Sequence, residues 1–312
     1  MTLSQKQIMD IIEKPSLHRL DNDNTVATYI GKTNEFAYGL LSVRPERFFW
    51  IRYNSDAEQE VIEKYTVVRG ELEVEYNGST FVLQEGDSFD ASQYPELVSL
   101  YSEAGTDLLL EMTPDIYETN FREKEIIQRD ASAIAKVDGY TFKHCARIKD
   151  YSTELWKKLS QPIERARSLV WGAYFHDIGK LAVPLEILNK EGKLTPTEWE
   201  TMKAHTTIGA EMMRNHELTW LRDSAFIVEH HHERFDGKGY PNGLKGEEIP
   251  LEAAIVSVVD SFDAMTTDRV YRKALSMNEA IQEIVRGRGT QFNPKVVDAF
   301  LKLLHDQQFK WK

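Results

Sequence analysis

Imidazole and carboxylate side chains recur through the second half of this chain. Eight of its nine histidines follow residue 143. His176 and Asp177 close the apolar stretch "AYFHD", and His205 closes "MKAH". Three successive histidines occupy residues 230–232, and Asp260 ends the apolar stretch "AAIVSVVD". One His-Asp pair by itself is explained equally well by a hydrogen-bonded core histidine, but together these groups favour a shared metal centre.

The ligand types indicate which chemistry such a centre would support. Imidazole nitrogens and carboxylate oxygens suit iron, manganese, zinc or nickel, and the chain has no thiolate cluster of the kind that holds structural zinc. One carboxylate can bridge two cations about 3.5 to 4 Å apart, a pair that activates water and stabilises the oxygens of a phosphoryl displacement. The expected reaction is hydrolysis of a phosphate ester. Asp260 follows so apolar a segment that we expect it to be buried, where a carboxylate needs a partner or a metal.

Helical periodicity begins near residue 116 and continues to the end of the chain. The segment 116–137 is predicted to be a connecting helix, and residues 138–312 an all-helical domain. Thr195, followed by Pro196 and Glu198, has the pattern of an N-cap, a first helical residue and a capping-box acid. The histidines therefore lie on helices or on the loops between them. We interpret His216, which lies outside these motifs, as a surface or interface residue.

Residues from about 45 to 112 have the alternating pattern of short strands instead. In "GELEVEYNG" apolar and acidic residues alternate, and Asn77-Gly78 is typical of a two-residue hairpin turn. The first half is therefore predicted to be a small antiparallel sandwich or barrel.

Composition restricts the function further. The formal net charge is -12, which argues against broad binding to polymeric nucleic acid or to an anionic membrane. The sequence has neither a signal-peptide pattern nor a long apolar run, so we expect a cytoplasmic protein that does not insert into membranes. The single cysteine, Cys145, excludes an intrachain disulfide and agrees with a reducing compartment. An anionic substrate would need local cations or metal ions.

Two family resemblances follow from these motifs. The set "HDIGK", "MKAHTTIGAEMM", "HHERFDGKGYPNG" and "VVDSFDAMTTDRVYRKA" resembles the HD-GYP family, a branch of the HD phosphohydrolases. That resemblance implies an all-helical domain that hydrolyses cyclic di-GMP at a centre of two or three metals. The stretch "TVVRGELEVEYNG" with "LQEGD" resembles the cupin family, which implies a β-barrel over residues 1–115. The first 143 residues contain only His18, outside the barrel strands, so we expect a metal-free barrel with a structural or sensory role.

The HD-GYP resemblance also implies individual roles. Asp177 would be the bridging ligand, and Lys180 would contact the scissile phosphate; a solvent-facing lysine at a helix end is the alternative. His230 is the extra member of the triplet, and Glu233 orients the neighbouring histidines or caps the loop. The implied metal ligands are His144, His176, Asp177, His205, His231, His232 and Asp260. The implied catalytic residues are Asp177 and Lys180, and the implied substrate-binding residues are Lys180, Gly237, Gly239, Tyr240, Arg269 and Arg272. For the glycines and Tyr240 a plain turn is the alternative, and for the two arginines surface salt bridges.

One departure from the family pattern bears on the number of metals. Members with a third metal tend to have glutamate where this chain has Tyr140, so we expect two divalent ions, iron or manganese first and zinc or nickel as alternatives. The resulting prediction is a fold of a cupin-like antiparallel β-barrel followed by an all-α HD-GYP domain. Its function would be hydrolysis of cyclic di-GMP to linear pGpG or GMP through a metal-bridging hydroxide. Hydrolysis of another cyclic dinucleotide or nucleotide phosphate, a catalytically weak cyclic di-GMP receptor, and a homodimer stay open.

Overall fold

The strands and helices of the chain follow its two sequence patterns. A computed structural model describes residues 19–21, 25–33, 35–45, 47–51, 62–76, 78–94, 98–138, 142–162, 165–268 and 273–305. It divides into two units, residues 1–129 and 130–312. The predicted fold class, an antiparallel β unit followed by an all-helical unit, is confirmed.

The first unit contains two antiparallel sheets. One sheet has the strand order β1-β2-β3-β10-β5-β8, and the other has the order β4-β9-β6-β7. Inward-facing apolar side chains from both sheets form one core, which includes Leu72, Val74 and Leu100. The strands are β1 (Arg19–Asp21), β2 (Thr25–Lys32), β3 (Ala37–Val43), β4 (Arg47–Ile51), β5 (Glu63–Arg69), β6 (Leu72–Tyr76), β7 (Ser79–Leu83), β8 (Ser88–Asp90), β9 (Val98–Ser102) and β10 (Thr106–Met112).

The predicted hairpin is present between β6 and β7. Leu72 pairs with Leu83 and Tyr76 with Ser79, which leaves two residues for the turn. Gly78 has φ of +73°, a left-handed conformation that glycine adopts without steric cost. Leu72 and Val74 are buried while Glu73 is exposed, so the alternation read from the sequence is confirmed. Asn77 and His18 lie outside the described residues.

A long helix, α1 (Pro114–Asp138), covers the segment predicted to connect the two halves. The division between the two units falls within this helix. The exact domain limits of 1–115 and 138–312 stay predictions.

In the described residues of the second unit, helices are joined by loops, and β structure is limited to two isolated bridges. Thr195 accepts a hydrogen bond from the backbone N–H of Glu198, and the Glu198 carboxylate accepts from the backbone N–H of Thr195, so the predicted capping box is confirmed. Among the described residues, none of the helices has both the length and the apolar character needed to cross a bilayer. The helices are α2 (Phe142–Lys158), α3 (Ala166–Tyr174), α4 (Leu185–Leu188), α5 (Pro196–Lys203), α6 (His205–Arg214), α7 (Ala225–His230), α8 (Leu251–Thr266), α9 (Met277–Gly287) and α10 (Pro294–His305).

Helix α8 forms the centre of this unit. Its residues from Ala253 to Val256 are buried, as are Val258 and Val259. The expectation that Asp260 is buried was wrong in degree, since 18% of its side chain is exposed. Two carboxylates of the helix are fully buried, Glu252 and Asp263, each with a residue exposure of 0%, and Asp263 follows Asp260 by three residues. Asp260 lies near the end of the buried stretch of α8, and its Oδ1 is directed towards His144 and His176.

Candidate metal centre

Side chains from five segments of the helical unit meet at one place. His144 lies in the first turn of α2, His205 at the start of α6, and Asp260 in α8. His176 and Asp177 follow the end of α3, at the entrance to a 3₁₀ turn, Ile178–Ala182. The last two contributors follow directly after α7: His231 and His232.

These side chains form two groups of ligand atoms. One group consists of Asp177, His205, His231 and His232, and the other of His144, His176 and Asp260; within each group the atoms lie within 4.8 Å of one another. The structure thus brings together, in these two groups, all seven side chains that the HD-GYP resemblance implies as metal ligands. Their donor set, imidazole nitrogen and carboxylate oxygen, fits divalent metal ions.

Asp177 lies between the two groups. Its Oδ2 is 3.2 Å from Nε2 of His176. Its Oδ1 is 3.4 Å from Nε2 of His205 and 3.9 Å from Nε2 of His231. Each oxygen of this carboxylate therefore faces a different group. Asp260 completes the second group, because its Oδ1 is 3.7 Å from Nε2 of both His144 and His176.

Hydrogen bonds from the outer ring nitrogens fix the orientation of four imidazoles. Nδ1 lies 2.8 Å from the Ala173 carbonyl in His176 and 2.7 Å from the Met202 carbonyl in His205. Nδ1 of His231 lies 2.8 Å from the Val228 carbonyl, and Nδ1 of His144 lies 2.7 Å from Oδ2 of Asp263. Because these oxygens can only accept, each Nδ1 donates, so in the neutral form of each ring the lone pair is on Nε2, the nitrogen that faces the centre.

The inner nitrogens supply the test of whether the site suits a metal. Within the described part of the chain, the buried Nε2 atoms of His176, His205 and His231 have no hydrogen-bond partner, and neither has Oδ1 of Asp177. Buried polar atoms without a partner are rare in folded proteins because they lose hydration and gain nothing in return. Four such atoms directed at one another are well explained by a cation that accepts their lone pairs.

The electrostatic surroundings keep most of these groups in the protonation state that binds a metal: a neutral imidazole or an ionised carboxylate. Burial lowers the pKa of His205 and His231, and that of His232 to about 4, which keeps these rings neutral. Burial alone would raise the pKa of Asp177, but Lys180 and His176 outweigh it and hold that pKa well below its usual range.

His176 differs from the other rings. Burial alone would lower its pKa, but Asp177 and Asp260 raise it to about 9. A metal bound here would displace this proton, since an imidazole binds a cation through an unprotonated nitrogen.

Asp263 and Arg147 support the site and were missed by the sequence reasoning. Asp263 receives the Nδ1–H of His144 and, through Oδ1, a hydrogen bond of 2.5 Å from Nε of Arg147. Burial alone would raise its pKa, but the bonds from Arg147 and His144 outweigh it and lower the pKa. The available signal was spacing: Arg147 follows His144 by three residues, and Asp263 follows Asp260 by three, so each shares a helix face with a ligand.

His230, the first histidine of the triplet, is turned away from the centre, as expected. Nδ1 of His230 donates to the Phe226 carbonyl, and its Nε2 accepts from Nδ2 of Asn242 at 3.0 Å. Both of its ring nitrogens are therefore already occupied.

The glycine-rich loop after the triplet folds back against it. Glu233 is buried and accepts hydrogen bonds from the backbone N–H groups of Asn242, Gly243 and Leu244, at 2.7, 3.0 and 3.1 Å. This contact confirms the loop-capping role predicted for Glu233. A Cβ on Gly239 would collide with the backbone of Glu233 and the carbonyl of His232, so only glycine fits there. The loop is thereby held directly against the metal-facing histidines.

Gly179 allows a second close approach. A Cβ at this position would collide with the carbonyl of His205 and with the backbone N of Gly209. The HD turn and the first turns of α6 therefore touch backbone to backbone. This contact sets the distance between Asp177 and His205.

Two of the residues predicted to bind substrate, Lys180 and Tyr240, lie beside ligands of the centre. Nζ of Lys180 is 2.7 Å from Oδ2 of Asp177. The ring of Tyr240 lies 5.0 Å from that of His232, and Gly237 has φ of +78° within the same loop. Arg269 and Arg272 lie outside the described residues.

Of the two alternatives for His216, a surface or an interface residue, the surface position was wrong. His216 is buried, and its Nε2 lies 3.0 Å from Oδ2 of Asp130 on α1. The backbone N–H of Leu218 donates to its Nδ1 at 3.0 Å, so Nε2 carries the proton and donates to the carboxylate. His216 thus anchors the C-terminal part of α1 within the helical unit.

Fold and site together define an all-helical domain with a buried His/Asp centre for divalent metal ions. An HD-domain family matches residues 130–296, which is more than half of the chain. The chain belongs to the HD-domain family. Its order of motifs and its curated relatives confirm the resemblance to the HD-GYP branch.

The curated relatives of this chain include two phosphodiesterases named for different cyclic dinucleotides. The cyclic di-GMP phosphodiesterase response regulator RpfG of Xanthomonas campestris is 40% identical over 185 residues, covering 59% of this chain and 49% of that protein. The 3'3'-cGAMP-specific phosphodiesterase 2 of Vibrio cholerae is 31% identical over 188 residues, covering 60% of this chain and 35% of that protein. This chain therefore spans half or less of each relative.

A solved structure resembles the β unit. It is an RmlC-like cupin from Shewanella frigidimarina, with 19% identity and a TM-score of 0.26 over 32% of this chain and 85% of that one.

Proposed function

We propose that this chain is a metal-dependent phosphodiesterase that hydrolyses cyclic di-GMP to linear pGpG, GMP or both. The observation that carries the proposal is the position of Asp177, whose two oxygens face two separate groups of buried ligands. A carboxylate placed in this way suits a site for two metal ions. We take iron or manganese as the first candidates and zinc or nickel as the alternatives, because the donors are nitrogen and oxygen only.

The role of the ions follows from their charge. Two divalent ions held by these ligands would lower the pKa of a coordinated water and neutralise charge on a phosphodiester. The chain's own residues must then position the substrate. The ligand imidazoles are fixed through Nδ1, so together with the carboxylate of Asp177 they form the fixed base of the site against which the substrate would bind.

Lys180 is placed to assist at the phosphate. Its Nζ lies beside Asp177, and 13% of its side chain is exposed. A lysine there adds a positive charge at the edge of the centre. Its ammonium group has three donors, so it can donate to a phosphate oxygen as well as to Asp177. Arg269 and Arg272 are proposed as further phosphate contacts, on the strength of the motif alone. These cations and the metals offset the net charge of -12, so an anionic substrate is not repelled at the site.

The loop containing Gly237, Gly239 and Tyr240 is proposed as one wall of the substrate pocket. Glu233 holds this loop against the triplet, and Tyr240 extends the row of aromatic rings that begins at His232. All the residues proposed for this chemistry lie in the helical unit, and we propose a structural or sensory function for the β unit.

A second candidate is hydrolysis of 3'3'-cGAMP. It is supported by the V. cholerae relative at 31% identity, whereas the relative named for cyclic di-GMP is 40% identical. The two substrates differ in one purine, and the metal centre contacts neither base in the proposed arrangement. The higher identity makes cyclic di-GMP the first choice.

The direct test is turnover of both dinucleotides by the full chain. Protein loaded separately with Fe(II) and Mn(II) is incubated with cyclic di-GMP or 3'3'-cGAMP, and the products are separated by chromatography. We expect pGpG or GMP from the first substrate at the higher kcat/KM. Tight binding without turnover under either metal would instead support a receptor. Faster cleavage of 3'3'-cGAMP would support the second candidate.

A further inference from the structure

The segment between Lys180 and His205 leaves the core of the helical unit. Its two helices, α4 and α5, contain no buried residue. Two large apolar side chains on it are exposed, Leu185 by 54% and Trp199 by 46%. Among the exposed large hydrophobic residues in the described part of the chain, Trp199 is the one aromatic. An indole gains by burial or by stacking, so its exposure calls for a function.

Trp199 stands next to the candidate metal centre. Its ring centre lies 6.1 Å from that of Tyr240, and the two planes meet at 79°. Tyr240 in turn lies 5.0 Å from the ring of His232 and 6.4 Å from that of His205. The aromatic rings therefore continue outward from two metal-facing histidines to Tyr240 and then to Trp199. The indole of Trp199 and the phenol ring of Tyr240 are nearly perpendicular, so they form the two sides of a corner.

Trp199 is not needed to hold its own helix. The N-terminus of α5 is closed by the capping box of Thr195 and Glu198. Nζ of Lys190 also binds the carboxylate of Glu198 at 2.6 Å, which ties the helix to the preceding loop. Both interactions lie at the start of α5 and involve none of the indole.

We propose that Trp199 is a substrate-binding residue on which a purine base of the cyclic dinucleotide stacks, with Tyr240 beside it. This inference rests on the proposed function and deepens it. In a nucleotide the ribose separates base from phosphate, so a phosphate at the metals places its base at the outer end of the row of rings. Nζ of Lys203 lies 5.9 Å from the centre of the Tyr240 ring and adds a positive charge beside the corner. A flat apolar face next to a cation is what a nucleotide requires.

The test compares Trp199→Ala and Trp199→Phe with wild type in the full, metal-loaded chain. Loss of one stacked base should raise the KM for cyclic di-GMP roughly tenfold to a hundredfold in the alanine variant. Phenylalanine should restore most of that loss, since it keeps a stacking face. Leu185→Ala is the matched control: it removes an equally exposed apolar side chain from the same segment and should leave KM unchanged. Metal content should be the same in all four proteins.

Binding of cyclic di-GMP, measured by calorimetry in the presence of Ca(II), gives a readout that does not depend on turnover. We expect the same order of affinities, with wild type tightest, Trp199→Phe near it and Trp199→Ala weakest. An unchanged KM and affinity in Trp199→Ala would overturn the inference while wild-type turnover leaves the proposed function intact. Equal losses in Trp199→Ala and Leu185→Ala would also overturn it, because a general docking or structural role of the segment would then explain the effect.

Failure of the proposed function gives a different pattern. If wild type binds the dinucleotide without cleaving it and Trp199→Ala weakens that binding, the stacking role stands and catalysis is refuted. If wild type binds neither cyclic di-GMP nor 3'3'-cGAMP, both the function and the inference are refuted.

Discussion

Oδ2 of Asp263 lies 2.7 Å from Nδ1 of His144, on the opposite side of the ring from the nitrogen that faces the metal centre. This buried carboxylate is also bound by Arg147, so its position is fixed from two directions. A carboxylate behind an imidazole fixes the ring and makes its inner nitrogen a better ligand.

Replacing Asp263 with asparagine should weaken metal binding. The amide can still accept the Nδ1–H of His144 but carries no charge, so the imidazole becomes a poorer donor. We expect metal affinity to fall about 10- to 100-fold, measured by competition with a chelating indicator. The control is Asp298→Asn, which removes an exposed carboxylate that is likewise bound by an arginine, Arg288. Equal affinities in the two variants would contradict a supporting role for Asp263.

The histidine triplet gives a comparison of neighbours. His231→Ala removes a buried ring whose Nε2 faces the centre, and we expect it to lower metal content and to abolish turnover. His176→Ala and Asp177→Ala should act in the same way. His230→Ala should do neither, because that ring is bound to Phe226 and Asn242. Metal content is measured by mass spectrometry alongside the turnover assay. Similar metal loss in all four variants would show that the assignment of His231 and His232 as ligands, with His230 excluded, is wrong.

Gly179→Ala should separate the HD turn from α6. The new methyl group collides with backbone atoms of His205 and Gly209, which cannot move aside as a flexible side chain can. We expect a loss of about 3 kcal/mol in the free energy of unfolding, at the upper end of ordinary overpacking, together with lower metal affinity.

The matched control for Gly179→Ala is Gly192→Ala. A Cβ on Gly192 meets nothing within 4 Å, although φ is +106°, so only local backbone strain is expected and metal affinity should stay unchanged. Denaturant titration and metal titration measure the two effects. If the Gly179 variant bound metal normally, the backbone contact would not be what positions His205.

The β unit should lose stability as the pH rises. Burial raises the pKa of Glu63, although the hydrogen bond from Tyr65 and the charge of Lys124 act in the opposite direction; Asp90 adds to the rise. The folded unit thus keeps the Glu63 proton to a higher pH than the unfolded chain, whose glutamates titrate near 4.5. This contribution is complete below pH 4.5 and is lost as the pH rises through the raised pKa.

Glu63→Gln should make the stability of the β unit less dependent on pH. The measured quantity is the change in the free energy of unfolding with pH. It is obtained from hydrogen exchange of the β5 amides in urea, followed from pH 4.5 to neutral pH and corrected for intrinsic rates. Glu73→Gln, on the exposed face of β6, is the control and should leave it unchanged. An identical slope in wild type and Glu63→Gln would refute the assignment.

Much of the fold and of the candidate site was accessible from local patterns. The alternation around Val74 predicted a strand with one buried face, and the residues at Thr195 and Glu198 predicted a helix start. Both depend on contacts between residues a few positions apart. Residue type and the neighbouring apolar segments pointed to His176, Asp177, His205 and Asp260 together as a metal centre, and the HD-GYP resemblance supplied the rest of the ligand set.

Other features depend on contacts between distant segments. Asp263 and His144 are 119 residues apart in the sequence, and His216 and Asp130 are 86 apart. No local pattern distinguishes Asp263 from Asp260, yet one is buried behind a ligand and the other faces the centre. The exposure of Trp199 beside Tyr240 was equally invisible, because helical periodicity does not show which loop a helix face meets.

Residue types and their near neighbours in the chain were enough to predict the two-part fold, the chemical types of the ligands and the order in which they occur, because these are local properties. Contacts between distant segments fix which oxygen of Asp177 faces which group of histidines, which ring nitrogen each imidazole presents, and which carboxylate supports His144. Those choices are set by packing: backbone contacts at Gly179 and Gly239 fix the distances between segments, and the surrounding carbonyl and carboxylate oxygens leave each buried ring one orientation that satisfies its outer nitrogen.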